Sequence, residues 1–154
     1  MPNWGYMGVS LAWNLGLALW IGGGIVLGAI VAPSLFRGMD SRPAAGEMFG
    51  GILRKYARLR AVAVVLIIGA AAVRFLVWEG DATAGNKGLW ILIRWGAISV
   101  MAAGVAWEIL FLEKAIADSR SGEGDPERFD RLHRMAGGVF RATIFAAIVA
   151  VFFS

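Results

Sequence analysis

Four apolar stretches alternate with polar segments along the chain, and each is long enough to cross a membrane as a helix. The most continuous stretch, 89–112, would extend about 36 Å as an α-helix, more than the roughly 30 Å of a hydrocarbon core. The pattern therefore predicts an all-α fold, an integral membrane four-helix bundle that forms a single domain over residues 1–154. The predicted spans are 9–32, 61–78, 89–112 and 135–153.

The segment 44–60, ahead of the second span, has the periodicity of an amphipathic helix. Asp40, Ser41 and Pro43 are typical of a helix start, and no helix breaker separates this segment from the second span. We expect one long helix from about Ala44 to Trp78, whose first turns form a cytoplasmic extension at the membrane surface.

Two prolines mark helix boundaries elsewhere. Pro33 directly follows the first span, so we expect the first helix to end or kink there. Asp125 is typical of an N-cap, and Pro126 suits the first position of the fourth helix. The third helix is expected to continue to about Asp118.

The composition excludes several classes of function. The chain is 58% hydrophobic and 17% charged, which is too apolar for an ordinary soluble domain. It has no cysteine, so disulfides, iron–sulfur clusters and thiolate metal sites are excluded. Although the net charge is +4, the basic residues concentrate in two connections between spans, which argues against nucleic acid as a partner.

The same distribution predicts how the chain is oriented. The second connection holds only Lys87 as a basic residue, and the N-terminal tail holds none. By the positive-inside rule, both termini lie outside a prokaryotic plasma membrane and both basic connections lie in the cytoplasm. The basic residues of those connections are Arg37, Arg42, Arg54, Lys55, Arg58 and Arg60 in the first, and Lys114, Arg120, Arg128, Arg131 and Arg134 in the third.

Charged side chains within the spans are the first candidates for a functional site, because lipid penalises them unless they face other helices. Glu108 and Arg141 belong to the inner parts of the third and fourth helices, within about 10 Å of each other in depth. We expect these two residues to form an ion pair or to share a polar cavity. Separate snorkelling to the interface and structural locking of the bundle remain the alternatives.

A second group of polar residues lies towards the outer end of the spans. Arg74 and Arg94 fall at comparable depth, with Glu79 and Asp81 near enough to pair with them and Asn14 at a similar level. Two arginines that face one cavity would attract an anion or a lipid headgroup. Snorkelling of both arginines towards lipid phosphates is the simpler explanation.

Small residues recur at spacings that let helices approach closely in a membrane. Gly24 and Gly28 form one small-xxx-small pair, and a row of small residues runs along the last helix. The predicted helix-packing positions are Gly22, Gly23, Gly24, Gly28, Gly104, Gly138, Ala142 and Ala146.

His133 is the only histidine, so one chain cannot build a bis-histidine haem site. It lies at the interfacial end of the last helix, where hydrogen bonding or packing explains it more simply than metal binding. Trp13 and Trp20 share a face with Gly16, which suits a hydrophobic ligand pocket or, more simply, packing. No metal site, cofactor or catalytic motif is predicted, and the chain is not expected to be an enzyme.

Several motifs resemble those of the transmembrane protein 205-like family, also called domain of unknown function 4149. They are WIGG at 20–23, APSLFR at 32–37, Gly46 before an amphipathic stretch to Tyr56, and FDRLH at 129–133. The resemblance implies a four-helix membrane protein of unsettled activity, sometimes linked with transport or drug resistance. Ala136 and Phe140 stand where the family tends to have serine and asparagine, so the polar contacts of those residues are not carried over.

These observations favour a small transport or permeation protein, with Glu108, Arg141, Arg74 and Arg94 in its polar interior. A structural or accessory subunit of a membrane complex is the main alternative. A haem-, quinone- or pigment-binding protein is the second. The expected partners are membrane lipid and either further copies of the chain or another membrane subunit.

Overall fold

The computed structural model describes residues 3–80, 86–112 and 126–153. It confirms the predicted all-α membrane bundle. Almost every described residue is helical, and four of the helices are long and apolar enough to span a membrane. The helices are α1 (Asn3–Val26), α2 (Ala32–Gly38), α3 (Arg42–Arg74), α4 (Asn86–Trp107) and α5 (Pro126–Phe152).

The start of α3 follows from its sequence as predicted. Ser41 has an extended backbone and occupies the N-cap position, where its hydroxyl oxygen accepts a hydrogen bond of 3.3 Å from the Ala44 amide. Pro43 lies in the first turn, where no intrahelical partner for its nitrogen is needed. The helix then runs without a break into the membrane-spanning part.

A π-helical turn follows each of the first three long helices, at Leu27–Val31, Phe75–Glu79 and Glu108–Leu112. The helical path continues past Pro33 through α2 to Gly38, so the first helix does not end at the proline. At the first π-turn the amide of Ala32 bonds to the Leu27 carbonyl five residues back, which changes the register just before the proline. Single π-turns of this kind are frequent at functional sites.

The four long helices pack in chain order around one core. Helix α1 packs on α3, α3 on α4, and α4 on α5, while α5 also contacts α1 and closes the ring. Large side chains from α1, α3 and α4 fill the centre. The fully buried ones include Trp13, Trp20, Ile67, Ile98 and Met101.

The outer surface of the bundle is apolar over most of its length. Large hydrophobic side chains such as Leu11, Val65, Leu92 and Phe145 are more than half exposed. A soluble protein rarely presents so large a continuous apolar surface. The surface is that of a multi-pass membrane protein with spans Trp4–Gly38, Ala44–Glu79, Asn86–Phe111 and Arg134–Phe152.

Candidate functional site

The most deeply buried charge of the described residues is Arg60 on α3, whose exposed fraction is 1%. Its guanidinium forms an ion pair with Glu108, the first residue of the π-turn after α4. The guanidinium carbon also lies 5.4 Å from the ring centroid of Trp20, 5.2 Å from Tyr56 and 5.4 Å from Phe140. We call these five residues the Arg60 cage. All four long helices or their π-turns contribute to it.

Tyr56 joins the Arg60 cage to the first helix. Its hydroxyl donates to the Trp20 carbonyl and lies 3.4 Å from the Leu19 carbonyl. The ring reaches that position because Gly23 has no side chain: a Cβ there would collide with the ring of Tyr56. At Gly24, a Cβ would lie 2.8 Å from Ile144 and 3.2 Å from Phe140, so this glycine allows α5 to approach α1.

Two donors in the Arg60 cage have no acceptor among the residues that the structure describes. They are Arg60 Nε and Trp20 Nε1, and both are buried. A buried donor left without an acceptor costs about 1–3 kcal/mol, and more when it is charged. The cage therefore has hydrogen-bonding capacity for an acceptor oxygen beyond what Glu108 supplies.

The predicted pair of Glu108 with Arg141 is wrong. Glu108 pairs with Arg60, whereas Arg141 is exposed on α5 and donates from Nε to the Gly137 carbonyl at 3.2 Å. The charge pattern predicts Arg60 to lie in the cytoplasmic connection, because five other basic residues precede it there. The sequence nevertheless contains a signal that Arg60 is buried.

That signal is the position of Arg60 on the apolar face of its helix. Tyr56, Arg60, Ala63, Ile67 and Ala71 follow one another at steps of four, three, four and four, and all five are buried. Such spacing places them on one side of a helix. Arg60 therefore belongs to the buried face, while Arg54, Lys55 and Arg58 are exposed.

A second ion pair lies nearer the opposite end of the bundle. Arg94 on α4 donates through both terminal nitrogens to Glu79, the last residue of the π-turn after α3. The expected pairing of Arg94 with Glu79 is therefore found, while Asp81 lies outside the described residues. Both ion pairs join α3 to α4, and the acidic partner lies on a π-turn in each.

Arg74 is held separately from this pair. Its Nη2 lies 3.4 Å from the Ser10 hydroxyl, and its guanidinium carbon lies 5.8 Å from the Tyr6 ring and 5.7 Å from the Trp13 ring. Asn14 does not join the interior as expected, because its side chain is exposed on α1. The expected common cavity for Arg74, Arg94 and Asn14 is not formed among the described residues.

An apolar layer separates the Arg60 cage from the Arg94–Glu79 pair. Arg94 and Glu108 are separated by about 21 Å along α4. Between the two levels the bundle is filled by buried Leu17, Ile67, Ile98 and Met101. Trp13 and Trp20, the candidates for a hydrophobic ligand pocket, are both fully buried. Trp20 lies in the Arg60 cage, and the ring of Trp13 lies beside Arg74.

The predicted helix-packing positions fall into two groups. The first group lies against neighbouring helices and consists of Gly23, Gly24, Gly104 and the buried Ala146. At Gly104, for example, a Cβ would collide with the Thr143 side chain. The remaining four positions do not make close interhelical contacts of this kind among the described residues. Nothing lies within 4 Å of a Cβ at Gly22, Gly28 or Gly138, and Ala142 is exposed.

His133 lies on α5, but its side chain is outside the described part of the structure. The described residues contain no group of three or more histidine, cysteine or carboxylate side chains that could hold a metal ion. The prediction of no cofactor stays a prediction, and so does the alternative of a haem-, quinone- or pigment-binding protein. Absorbance of the purified protein beyond the aromatic bands tests them.

Comparison with known proteins gives one match. A family model described as "Domain of unknown function (DUF4149)" matches residues 15–121, well over half of the chain. No curated protein and no solved structure gives a significant match. The matched region includes Trp20, Tyr56, Arg60 and Glu108 but ends before Phe140, the cage residue on α5.

Proposed function

The chain belongs to the family of domain of unknown function 4149, and as its function we propose a transport-type membrane protein whose Arg60 cage binds a small anion. In the closed state the Glu108 carboxylate occupies the anion position. A substrate carboxylate or an inorganic anion would exchange with it. This proposal keeps the transport class expected from the sequence and replaces Arg141 with Arg60 as its central residue.

The observation that carries the proposal is the fully buried guanidinium of Arg60 together with its unused donors, Arg60 Nε and Trp20 Nε1. Charged residues at membrane depth are costly and usually functional. A purely structural link between helices is met at lower cost by apolar residues of similar volume. Guanidinium is also the cation best suited to binding carboxylate and phosphate oxygens.

Exchange of the anion requires movement of α3 against α4. Glu108 is 18% exposed, so the Arg60 cage has an edge near the bundle surface, whereas the apolar layer closes the way to the Arg94–Glu79 pair. The acidic residue of each ion pair lies on a π-turn, a local irregularity that can absorb a change in helix register. Alternate opening of the two ion pairs would move an anion without a continuous pore.

Anion flux into proteoliposomes tests the proposal. We expect the wild-type protein to carry small carboxylates or halides down an imposed gradient, and Arg60→Lys to reduce that flux at least tenfold, since lysine has one compact charge in place of a planar fork. Arg58→Lys is the matched control, because Arg58 is exposed on the same helix, and it should leave flux unchanged.

Correct folding of each variant is checked by size-exclusion chromatography and circular dichroism before flux is measured. Absence of flux for every small anion in the wild-type protein would rule out the proposal. Equal flux in wild type and Arg60→Lys would remove Arg60 from the site.

A structural or accessory subunit is the second candidate, and the apolar layer favours it. Leu17, Ile67, Ile98 and Met101 leave no polar path through the described part of a single bundle. Purification in a mild detergent followed by native mass spectrometry separates the two candidates. A stoichiometric partner protein together with absent flux would favour the accessory function.

A further inference from the structure

We propose that an anionic phospholipid binds in the groove between α1 and α5, with its headgroup phosphate on Arg141 and one acyl chain along the groove. The groove encloses about 270 Å³ and is lined by Gly24 and Ile25 of α1 and by Phe140, Arg141, Ile144 and further apolar residues of α5. Arg141 is its one charged lining residue. The groove shares Phe140 with the Arg60 cage, but the lipid proposal does not depend on the proposed transport function.

Gly24 lies at the floor of the groove, where α5 packs closely on α1. A Cβ at that position would lie 2.8 Å from Ile144 and 3.2 Å from Phe140, so any larger residue would intrude into the space between the helices. Its outer walls are side chains that face away from the core. Ile25, Phe145 and Ile148 are 59%, 68% and 52% exposed, respectively. The groove is therefore an apolar channel open to the surrounding acyl chains.

The direction of Arg141 matches the polarity of a phospholipid. Its Nε donates to the Gly137 carbonyl, one turn towards the N-terminal end of α5, so the guanidinium points towards the membrane boundary at that end. The apolar lining continues the opposite way to Ile148, about 10 Å further into the bilayer. A charge at the end of the groove that faces the boundary, and apolar lining towards the bilayer centre, fit a headgroup and a chain in that order.

Charge selects an anionic lipid. Neither ion pair found in the described residues involves Arg141, so its positive charge is available to an external phosphate. A basic side chain near an anionic membrane surface contributes about 1 kcal/mol to lipid binding, which corresponds to about a fivefold change in affinity. Arginine also binds phosphate through paired donors, which favours a defined site over diffuse attraction.

Native mass spectrometry of the protein released from nanodiscs tests the site. The nanodiscs contain phosphatidylglycerol and phosphatidylcholine in equal amounts, with chains of equal length. We expect one phosphatidylglycerol to be retained preferentially by the wild-type protein, with retention about fivefold lower for Arg141→Met. Arg58→Met, the same change at an exposed arginine of α3 outside the groove, should retain the lipid as the wild type does.

Arg141→Lys and a competition experiment complete the design. Arg141→Lys keeps the charge, so it should retain most of the binding; loss equal to that in Arg141→Met would contradict the charge argument. Inorganic phosphate at millimolar concentration should not displace the lipid, because it lacks the chain that fills the groove. Displacement by phosphate, equal retention of phosphatidylcholine, equal loss in Arg58→Met, or a dimer that covers Arg141 would each overturn the proposal.

Discussion

Removing the charge of Glu108 should destabilise the protein much more than removing the charge of Arg60, its partner in the ion pair. Arg60 is 1% exposed and Glu108 is 18% exposed. Glu108→Gln leaves a guanidinium enclosed by Trp20, Tyr56 and Phe140 without a counter-charge. Arg60→Met leaves a carboxylate that is partly exposed at the edge of the bundle and therefore less enclosed by protein.

The magnitudes follow from this difference in burial. Loss of one partner of a buried ion pair costs about 3–5 kcal/mol, and we expect Glu108→Gln to fall at the upper end of that range. Arg60→Met should cost about 2 kcal/mol, because methionine retains part of the contact with the three rings through its sulfur. The double variant Arg60→Met/Glu108→Gln should be more stable than Glu108→Gln alone, which requires a coupling energy of about 3 kcal/mol, larger than the cost of Arg60→Met.

The free energy of unfolding can be measured by titration with sodium dodecyl sulfate in mixed micelles, followed by circular dichroism. Arg58→Met is the control, since it removes the same charge from an exposed position of α3 and should change stability by no more than about 0.5 kcal/mol. The reasoning fails if the effects of the two single variants add, with a coupling energy below about 0.5 kcal/mol. It also fails if Arg60→Met costs more than Glu108→Gln.

Two further predictions concern helix packing and orientation. Gly104→Ala should destabilise the bundle by about 1–3 kcal/mol in the same titration, because the new Cβ collides with Thr143. At the control position Gly96 a new Cβ has nothing within 4 Å, so Gly96→Ala should stabilise the bundle by up to about 1 kcal/mol. Equal effects of the two changes would contradict the close approach of α5 to α4. Because the chain has no cysteine, Lys87→Cys and Arg42→Cys each give a single labelling site. An impermeant maleimide applied to intact cells should label only the first, and labelling of the second alone would reverse the predicted orientation.

The number of spanning helices and the start of α3 could be predicted from the sequence because they depend on local properties. Long apolar stretches have few alternatives in a membrane, and Ser41 with Pro43 defines the start of α3 through contacts within one turn. The continuation of the first helix past Pro33 could not be predicted from such local properties. It depends on a π-turn that changes the hydrogen-bond register just before the proline.

The Arg60 cage was harder to predict because its members are remote in sequence. Counting residues from the helix ends gives the depth of Glu108, and depth alone allowed Arg141 as its partner. The partner is decided by how each helix is rotated about its own axis, which places Arg60 inward and Arg141 on the lipid-facing side. The alignment of Arg60 with Tyr56, Ala63 and Ile67 was the local sign of that rotation.

The two ion pairs have a consequence for biogenesis. Arg60 and Glu79 belong to one arm of the helical hairpin, and Glu108 and Arg94 to the other, so each arm carries charges that pair with the opposite arm. We expect the translocon to release this hairpin into the bilayer as a unit. Glycosylation mapping of ribosome-bound chains should show that the second arm is already synthesised before the first arm leaves the channel. Early departure of the first arm alone would refute release of the hairpin as a unit.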